Sequence, residues 1–368
     1  MASEHPQSLP APFSDRDAPA IRAVGLAFPP NYVEQQVLTD ALRTYWKGRH
    51  GNPRRLEEFH RAVQVRGRYF ALPLEEYPAL DSFAKTNQAW NTAALQVGEA
   101  AVRAALKQAG LEAADIDHFF FVTVTGISTP SMDARIINRL GMRSGIKRTP
   151  IFGLGCVGGA AGLARASEYT RAFPDHIALF LSVELCSLTL QRDDLSLANL
   201  IASGLFGDGA AAVIIAGAAR RTDRGPRVVG TQSTLYHDTE RLMGWDIVDS
   251  GFKIVLSPKV PDAVRENLGA DVDRLLAAHG LNRGAIRHWI AHTGGPKVLR
   301  AIETALDLPC DALERSWRSL TEIGNLSSAS VLFVLGDLLS DGQAQAGDYG
   351  MMMAVGPGFC SELVLLRW

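Results

Sequence analysis

The stretch Thr149-Pro-Ile-Phe-Gly-Leu-Gly-Cys-Val-Gly-Gly-Ala-Ala-Gly162 has Cys156 at its centre and decides the fold of this 368-residue chain. The apolar pair Ile151-Phe152 predicts the end of a buried strand, and the glycines before the cysteine allow a sharp turn. Residues 157–169, rich in Ala, Leu and Gly, predict a helix that begins just after the thiol. Unpaired backbone N–H groups at a helix N-terminus favour a thiolate. The stretch therefore predicts either a nucleophilic cysteine or a small buried inert one, depending on its partners.

Strand and helix patterns alternate along the rest of the chain. In the first half, strands are predicted at 21–28, 116–125, 177–185 and 210–216, and helices at 35–45, 89–108 and 131–140. After a polar seam at 219–227, helices are predicted at 261–276, 297–306 and 329–339, and strands at 287–292, 351–355 and 361–367. Continuous apolar strands are typical of sheets covered on both faces. The sequence therefore predicts a duplicated α/β unit with helices on both faces of two sheets.

The predicted organisation has three parts. Residues 1–18 are polar, contain prolines and lack an apolar core, which predicts a flexible leader and not a secretory signal. Residues 19–220 form the N-terminal half, which carries the cysteine of the central stretch. Residues 221–368 form the C-terminal half.

Composition excludes several functional classes. The chain is 47% hydrophobic and 21% charged with a formal net charge of −2, so it has no general attraction for nucleic acid or an anionic membrane. The four cysteines include no CxxC pair, which argues against a disulfide framework or a zinc site and for a reducing compartment. No apolar run is long enough for a membrane-spanning helix. A cytoplasmic protein is expected.

Three polar residues lie where strands end or helices begin: Cys156, His292 and Asn325. His292 follows an apolar strand and precedes a Thr-Gly-Gly-Pro turn, although a single histidine is more often a surface or a satisfied core residue. Asn325 precedes a helical run, where its commonest duty is to cap the helix. Together the three side chains compose a nucleophile, a base or oxyanion donor, and a second oxyanion donor.

Five motifs occur in an order that resembles the type III polyketide synthases, the chalcone-synthase-like enzymes of the thiolase fold. The motifs are FGLGCVGGAAG, GLFGDG at 204–209, AHTGGPKVL, GNLSSASVLF and the Gly-Pro-Gly turn at 356–358. The resemblance runs from about residue 20 to the end of the chain. It implies an α/β, thiolase-like, five-layered αβαβα fold built from two duplicated α/β halves. It also implies a homodimer in which each subunit carries a complete site reached through a tunnel.

The resemblance also implies the catalytic roles. Cys156 is expected to carry the acyl group, with its thiolate stabilised by His292 as an imidazolium. His292 and Asn325 are expected to hold the thioester oxygen while malonyl-CoA loses carbon dioxide, and the resulting enolate attacks the acyl thioester in a Claisen condensation. The substrates are coenzyme A thioesters, an acyl-CoA starter and malonyl-CoA. No metal or organic cofactor is expected, because thiolate, imidazole and amide supply the chemistry.

Further positions match family sites that shape the cavity or bind coenzyme A. Phe206 and Ile254 match two gatekeepers, the second of which is usually a phenylalanine. The other expected cavity positions are Thr125, Thr129, Thr189, Trp245 and Ser327, with Thr129 placed to reach the partner's cavity and Gly244 an alternative to Trp245. Asp208, beside Phe206, is expected to be structural. Arginines in the region that binds the phosphates of coenzyme A are Arg61, Arg66 and Arg68.

The expected function is that of a type III polyketide synthase that primes Cys156 with a long-chain fatty acyl group and releases a cyclised alkylpyrone or alkylresorcinol. An alternative within the family uses an aromatic or malonyl starter and gives a small aromatic product such as a naphthalene. A β-ketoacyl carrier-protein synthase shares the Cys-His-Asn set, and a scaffold that binds acyl-CoA without turnover would need an inert Cys156. The starter could come from coenzyme A or from an acyl carrier protein.

Overall fold

The computed structural model describes residues 16–48, 53–222 and 225–368. Most of the predicted leader, residues 1–15, lies outside these ranges. Ala18, which the prediction included in the leader, is fully buried in the core, so the leader as predicted extends too far. No helix among the described residues combines the length and apolar character needed to cross a membrane.

The described residues form a central mixed sheet and two small antiparallel pairs. The strands in chain order are β1 (Ala20–Ala27), β2 (Asn31–Glu34), β3 (Gly67–Phe70), β4 (His118–Thr123), β5 (Lys147–Phe152), β6 (Ile177–Leu185), β7 (Asp208–Ala216), β8 (Arg227–Leu235), β9 (Met243–Val248), β10 (Gly251–Leu256), β11 (Ile286–Ala291), β12 (Tyr349–Gly356) and β13 (Cys360–Arg367). Strands β2 and β3 pair with each other, as do β9 and β10. The other nine strands lie in the order β11-β12-β13-β8-β1-β7-β6-β4-β5.

The α-helices of the described residues connect these strands. They are α1 (Gln35–Tyr45), α2 (Pro53–Ala62), α3 (Phe83–Ala109), α4 (Met132–Leu140), α5 (Gly158–Ala172), α6 (Leu197–Leu205), α7 (Val260–Ala278), α8 (Pro296–Leu306), α9 (Glu314–Ile323) and α10 (Ser330–Asp341). Sequence periodicity predicted α1 with the same bounds but did not predict α2, α6 or α9. The polar α2 and α9 have narrow apolar faces, and the Gly204 at the end of α6 indicates a turn rather than a helix.

The sheet joins the two halves of the chain at one point. Strands β5, β4, β6, β7 and β1 all precede residue 217, whereas β8, β13, β12 and β11 all follow residue 226. Between the halves, β1 and β8 share a single residue pair, Ala20 with Arg227. Parallel pairing of β4 with β5 and β6, and of β11 with β12, fits the strand–helix alternation of the sequence.

Helices cover both faces of each half-sheet. α3 packs on β1, β7 and β6 and contacts α4, which forms one outer layer. α5 and α10 lie in the middle, since α5 contacts strands of both halves and α10 contacts β1 and β12. α7 and α8 pack together, and α7 packs on β8 and β13 as the other outer layer. These layers form the five-layered αβαβα sandwich that the resemblance implies.

The close approach of α5 to the α10 side of the middle layer depends on glycine. A Cβ atom at Gly159 would lie 2.1 Å from the backbone oxygen of Ser328, so only glycine fits there. This contact brings the start of α5, which follows Cys156, against the loop that precedes α10. The first stretch of the sequence therefore fixes how the two halves meet.

Strand β5 differs from its prediction. The pair Ile151-Phe152 was expected to end a buried strand, but β5 is the edge strand of the sheet and the exposed fraction of Phe152 is 49%. Apolar residues alone do not distinguish an edge strand from a central one.

Candidate active site

Cys156 is held between two loops at the start of α5. It lies in a 3-10 turn over Gly155–Val157 and is 7% exposed. Its Sγ lies 4.0 Å from the Oγ of Ser327, in the loop before α10. On the other side the Gly-Pro-Gly turn abuts the cysteine, because a Cβ atom at Gly356 would lie 3.4 Å from the Cys156 nitrogen. The thiol is thus enclosed where α5, β12 and the α10 loop meet.

Asn325 anchors the α10 loop to the end of α6. Its backbone N–H donates to the Leu205 carbonyl at 2.9 Å, and its carbonyl accepts from Gly207 N–H at 2.9 Å. The side-chain Oδ1 accepts from the Ser327 N–H at 2.8 Å and from the Ser330 hydroxyl at 3.3 Å. These bonds close a local turn before α10, but the Asn325 side chain caps neither the 3-10 turn at Ser327–Ala329 nor α10, so the capping role that the sequence indicated is not observed. Oδ1 can only accept, so the donor that Asn325 can offer to a substrate oxygen is its Nδ2 group.

His292 is buried directly after β11. Its exposed fraction is 2%, and its backbone N–H donates to the Met353 carbonyl at 2.9 Å. The next residue, Thr293, donates its hydroxyl to the Gly324 carbonyl at 3.3 Å, which ties this turn to the Asn325 loop. Within the described part of the chain, neither ring nitrogen of His292 has a hydrogen-bond partner. A buried imidazole with both nitrogens unsatisfied is costly unless a ligand atom or a proton transfer uses them.

Burial acts on the two titratable groups in opposite directions. It raises the pKa of the Cys156 thiol to about 12, against a smaller lowering by the Ser327 hydrogen bond. It lowers the pKa of His292 to about 3. Each group titrating alone would therefore be neutral at pH 7. The position at the start of α5 does not by itself yield the thiolate that the sequence predicts, so a thiolate needs a charged partner.

Four of the expected cavity positions line one cavity. They are Thr189, Phe206, Trp245 and Ile254, and the wall also includes Cys186, Ser187 and Asn199. Phe206 is bridged through its backbone to Asn325, so the cavity adjoins the α10 loop. The volume open to water inside the cavity is about 30 Å³, which is room for about two water molecules.

Two other expected cavity positions lie elsewhere. Thr125 is buried and faces a separate recess bounded by Leu188 and Phe252. Its hydroxyl donates to Glu184 at 2.9 Å, and its role in shaping the main cavity stays a prediction. Thr129 is exposed on this chain, as a residue expected to reach a partner subunit would be. Ser327 touches Cys156 and is the only one of the expected positions that the described residues place beside the thiol.

The three arginines expected to bind coenzyme A divide into two groups. Arg61 and Arg66 are exposed, and Arg66 lies 3.6 Å from Glu322. Arg68 is fully buried, and its guanidinium donates to the Gln35 side chain and to the Ser203 carbonyl. Arg68 therefore cannot meet a phosphate that arrives from solvent, and the expectation for it is corrected. Arg68 was assigned from its region of the sequence and not from a motif. A region-level match does not show which side chains point inward and which point outward.

Glu184 is a buried acid beside the site that the sequence analysis did not single out. It accepts hydrogen bonds from the Ser328 hydroxyl, from the Val124 N–H at 3.1 Å and from Thr125. Burial raises its pKa to about 7, against the lowering effect of these hydrogen bonds. It also raises the pKa of Cys156. A single glutamate in the otherwise apolar run IALFLSVEL was the signal that could have identified it.

The Glu184→Gln variant should show a smaller fall in the free energy of unfolding than the wild type as pH rises. The folded pKa of about 7 lies above the ordinary glutamate pKa of 4.5, so the folded state keeps its proton between these two pH values while the unfolded state loses it. Stability therefore falls as pH rises through this window, by roughly 3 kcal/mol for this one group. Urea unfolding between pH 4 and pH 8 should show a smaller fall in the variant than in the wild type. An unchanged slope, equal to that of a control change at exposed Glu266→Gln, would contradict the assignment.

Two family models match nearly the whole chain. The N-terminal domain of the chalcone and stilbene synthases matches residues 13–219, and the C-terminal domain matches residues 227–368. A 1,3,6,8-tetrahydroxynaphthalene synthase of Streptomyces peucetius subsp. caesius is 50% identical over 351 residues, covering 95% of this chain and 93% of that protein. A putative chalcone synthase of Bacillus subtilis is 38% identical over 358 residues, covering 95% of this chain and 98% of that protein.

A solved structure shows the same fold. The crystal structure of the 1,3,6,8-tetrahydroxynaphthalene synthase of Streptomyces coelicolor A3(2), a bacterial type III polyketide synthase, superposes with a TM-score of 0.90 at 30% identity. The match covers 95% of this chain and 99% of that chain. The thiolase-like fold and the enzyme class predicted from the motifs are thereby confirmed. The chain belongs to the chalcone and stilbene synthase family and is an acyl-transferring type III polyketide synthase.

Proposed function

We propose that Cys156 is the nucleophile that carries the starter and the growing chain. The observation that supports this most directly is its enclosure at the start of α5, in contact with the loop that holds Asn325. The thiol proton passes to His292, whose unpartnered ring nitrogens can accept it. The thiolate and imidazolium then stabilise each other in a site that excludes water.

His292 and Asn325 act together on the extender in this proposal. Loss of carbon dioxide from malonyl-CoA leaves an enolate whose charge lies on the thioester oxygen. The Asn325 Nδ2 and a protonated His292 nitrogen supply the donors for that oxygen. The enolate carbon then attacks the acyl thioester on Cys156, a carbon–carbon bond forms, and the Cys156 thiolate leaves. The lengthened chain returns to Cys156 with release of coenzyme A.

The starter is proposed to be malonyl-CoA itself, the alternative that the sequence analysis left open. Two observations favour it over a long-chain acyl group. The relative with 50% identity is named a 1,3,6,8-tetrahydroxynaphthalene synthase. Two large aromatic side chains, Phe206 and Trp245, line the cavity, which suits a compact chain better than a fatty acyl tail. A less bulky Ile254 does not open the cavity, because Trp245 lies directly opposite it in the β9–β10 pairing.

The product proposed is a small polyhydroxylated aromatic compound of the naphthalene class. A naphthalene skeleton has ten carbon atoms, which correspond to five two-carbon units from malonyl-CoA. The chain would be retained on Cys156 until it folds and closes its rings inside the cavity. An enclosed apolar wall protects such a reactive poly-ketone from water.

A homodimer is proposed as the working assembly, with coenzyme A entering past Arg61 and Arg66. The edge strand β5 presents backbone groups and the half-exposed Phe152, which a second copy could cover. Exposed Ile127, close in sequence to Thr129, adds apolar surface. Three expectations from the sequence stay predictions. They are the division into halves 19–220 and 221–368, an acyl carrier protein as starter donor, and a cytoplasmic location.

The starter is tested by supplying malonyl-CoA alone and together with acyl-CoAs from acetyl to stearoyl and a cinnamoyl type. We expect malonyl-CoA alone to give a product with the mass of a tetrahydroxynaphthalene. Adding the other thioesters should change neither its mass nor its yield. Turnover that depends on a long-chain acyl-CoA would overturn the proposed starter while leaving the enzyme class in place.

A further inference from the structure

The β9–β10 hairpin, residues Met243–Leu256, forms the roof of the cavity but is not part of the central sheet. Trp245 and Ile254 face each other across it, and both line the cavity. A two-stranded hairpin is only marginally stable by itself. The position of this roof hairpin therefore depends on the contacts that tie it to the body of the protein.

Gln191 is a buried side chain, 6% exposed, that bonds to the tip and second strand of the roof hairpin. Its Oε1 accepts from the Ser250 hydroxyl at 2.6 Å. Its Nε2 donates to the carbonyls of Phe252 at 3.2 Å and Ser250 at 3.4 Å. Buried hydrogen bonds of this kind resist displacement, because breaking them leaves polar groups unpaired.

Gln191 is itself fixed to a wall of the cavity. The Asn199 side chain accepts from the Gln191 N–H at 3.3 Å and donates to the Gln191 carbonyl at 2.8 Å. Asn199 lies in α6 and lines the same cavity as Trp245. A continuous set of hydrogen bonds thus runs from the cavity wall through Gln191 to the roof hairpin.

Among the residues that the structure describes, a second polar contact joins the roof hairpin to the segment after Gln191, and it is weaker. Lys253 lies 3.7 Å from Asp194, and the lysine side chain is 47% exposed. The Asp194 side chain is 15% exposed, but at this separation and with a half-exposed lysine the ion pair holds the hairpin only weakly. Gln191 is the stronger restraint of the two.

We propose that Gln191 is a positioning residue that sets the height of the roof hairpin and so limits the number of two-carbon units added. This inference rests on the proposed function. Trp245 and Ile254 belong to the hairpin and line the cavity, so a growing chain that presses on these two side chains must displace the roof. The bonds of Gln191 oppose that displacement increasingly as the chain lengthens. The hydrogen bonds thereby favour release of the polyketide chain at one length. This is a specificity effect on the scale of single two-carbon units.

The test compares Gln191→Met, which keeps the side-chain length but removes the hydrogen bonds, with the wild type. Gln232→Met is the matched control, because Gln232 is also a buried glutamine, bonded to Thr234 and the Asp271 carbonyl away from the hairpin. Products from malonyl-CoA and from the acyl-CoA panel are counted by mass spectrometry according to extension number. We expect the ratio of products longer than the main one to rise about tenfold in Gln191→Met and to stay unchanged in Gln232→Met.

Hydrogen exchange gives a second readout that does not depend on turnover. Amides of residues 243–256 should exchange about tenfold faster in Gln191→Met, with no change there in Gln232→Met. Equal exchange rates and an unchanged extension profile would overturn the proposal, even if the variant were less stable. A wrong starter assignment can be told apart from a wrong role for Gln191. It would show in the wild type supplied with malonyl-CoA alone, without any Gln191 variant.

Discussion

Cys156→Ala is expected to abolish polyketide formation, by more than about a thousandfold, while leaving the fold intact. Cys156 lies against the loop that holds Asn325, whereas the other thiol nearby, Cys186, lies in the cavity wall, and the Ser327 hydroxyl beside Cys156 is a far weaker nucleophile than a thiol. Alanine is smaller than cysteine and fits the same buried position, so unfolding is not expected. The measurement is product formation from malonyl-CoA, with circular dichroism and thermal unfolding as checks on the fold. Polyketide formation by this variant at near the wild-type rate would rule out Cys156 as the nucleophile.

Cys156→Gln separates the two half-reactions and serves as the companion variant. The amide cannot carry a chain, but it leaves His292 and Asn325 in place to hold the malonyl thioester oxygen. Release of carbon dioxide from malonyl-CoA should therefore continue in this variant without any condensation product. Loss of that release as well would mean that His292 and Asn325 are not the decarboxylation pair.

Much of the fold follows from local sequence signals. Apolar runs such as 177–185 and the helical period of 35–45 gave elements with the observed bounds, because burial on both faces and a helical apolar stripe leave clear patterns. The sequence predicted that β5 is buried, whereas it is an exposed edge strand. The prediction failed because tertiary packing decides whether a strand lies at the edge or in the centre of a sheet. The roof hairpin also escaped detailed prediction, because residues 243–256 pair only with each other and lack a regular alternation.

The candidate site was predictable where a residue sits in a motif. Cys156, His292 and Asn325 each lie at the end of a strand or the start of a helix, and the fold brings their loops together. Arg68 was misassigned because a basic residue in a basic region gives no sign of pointing inward. Glu184 and Gln191 act through hydrogen bonds to residues distant in sequence, such as Ser328 and Phe252, so only the folded structure reveals them.

His292→Ala is expected to slow alkylation of Cys156 by iodoacetamide at pH 7 by at least about a hundredfold. Burial raises the pKa of the thiol to about 12, so in the proposed mechanism a thiolate at neutral pH depends on the charge of a protonated His292. Without the imidazole, the thiolate fraction should grow about tenfold with each pH unit below that pKa. The alkylation rate of the variant should therefore recover as pH rises from 7 to 10, whereas the wild type should change little.

The alkylation experiment contains its own controls. Exposed Cys310 reports the general reactivity of the reagent in every sample, and its rate should be the same in all variants. His237→Ala removes an exposed histidine and should leave the Cys156 rate unaltered. If His292→Ala were alkylated at the wild-type rate at pH 7, the start of α5 alone would have to overcome the burial of the thiol. The nucleophile would then be activated by the helix N-terminus that the sequence first indicated. The remaining role of His292 would be to donate a hydrogen bond to the thioester oxygen.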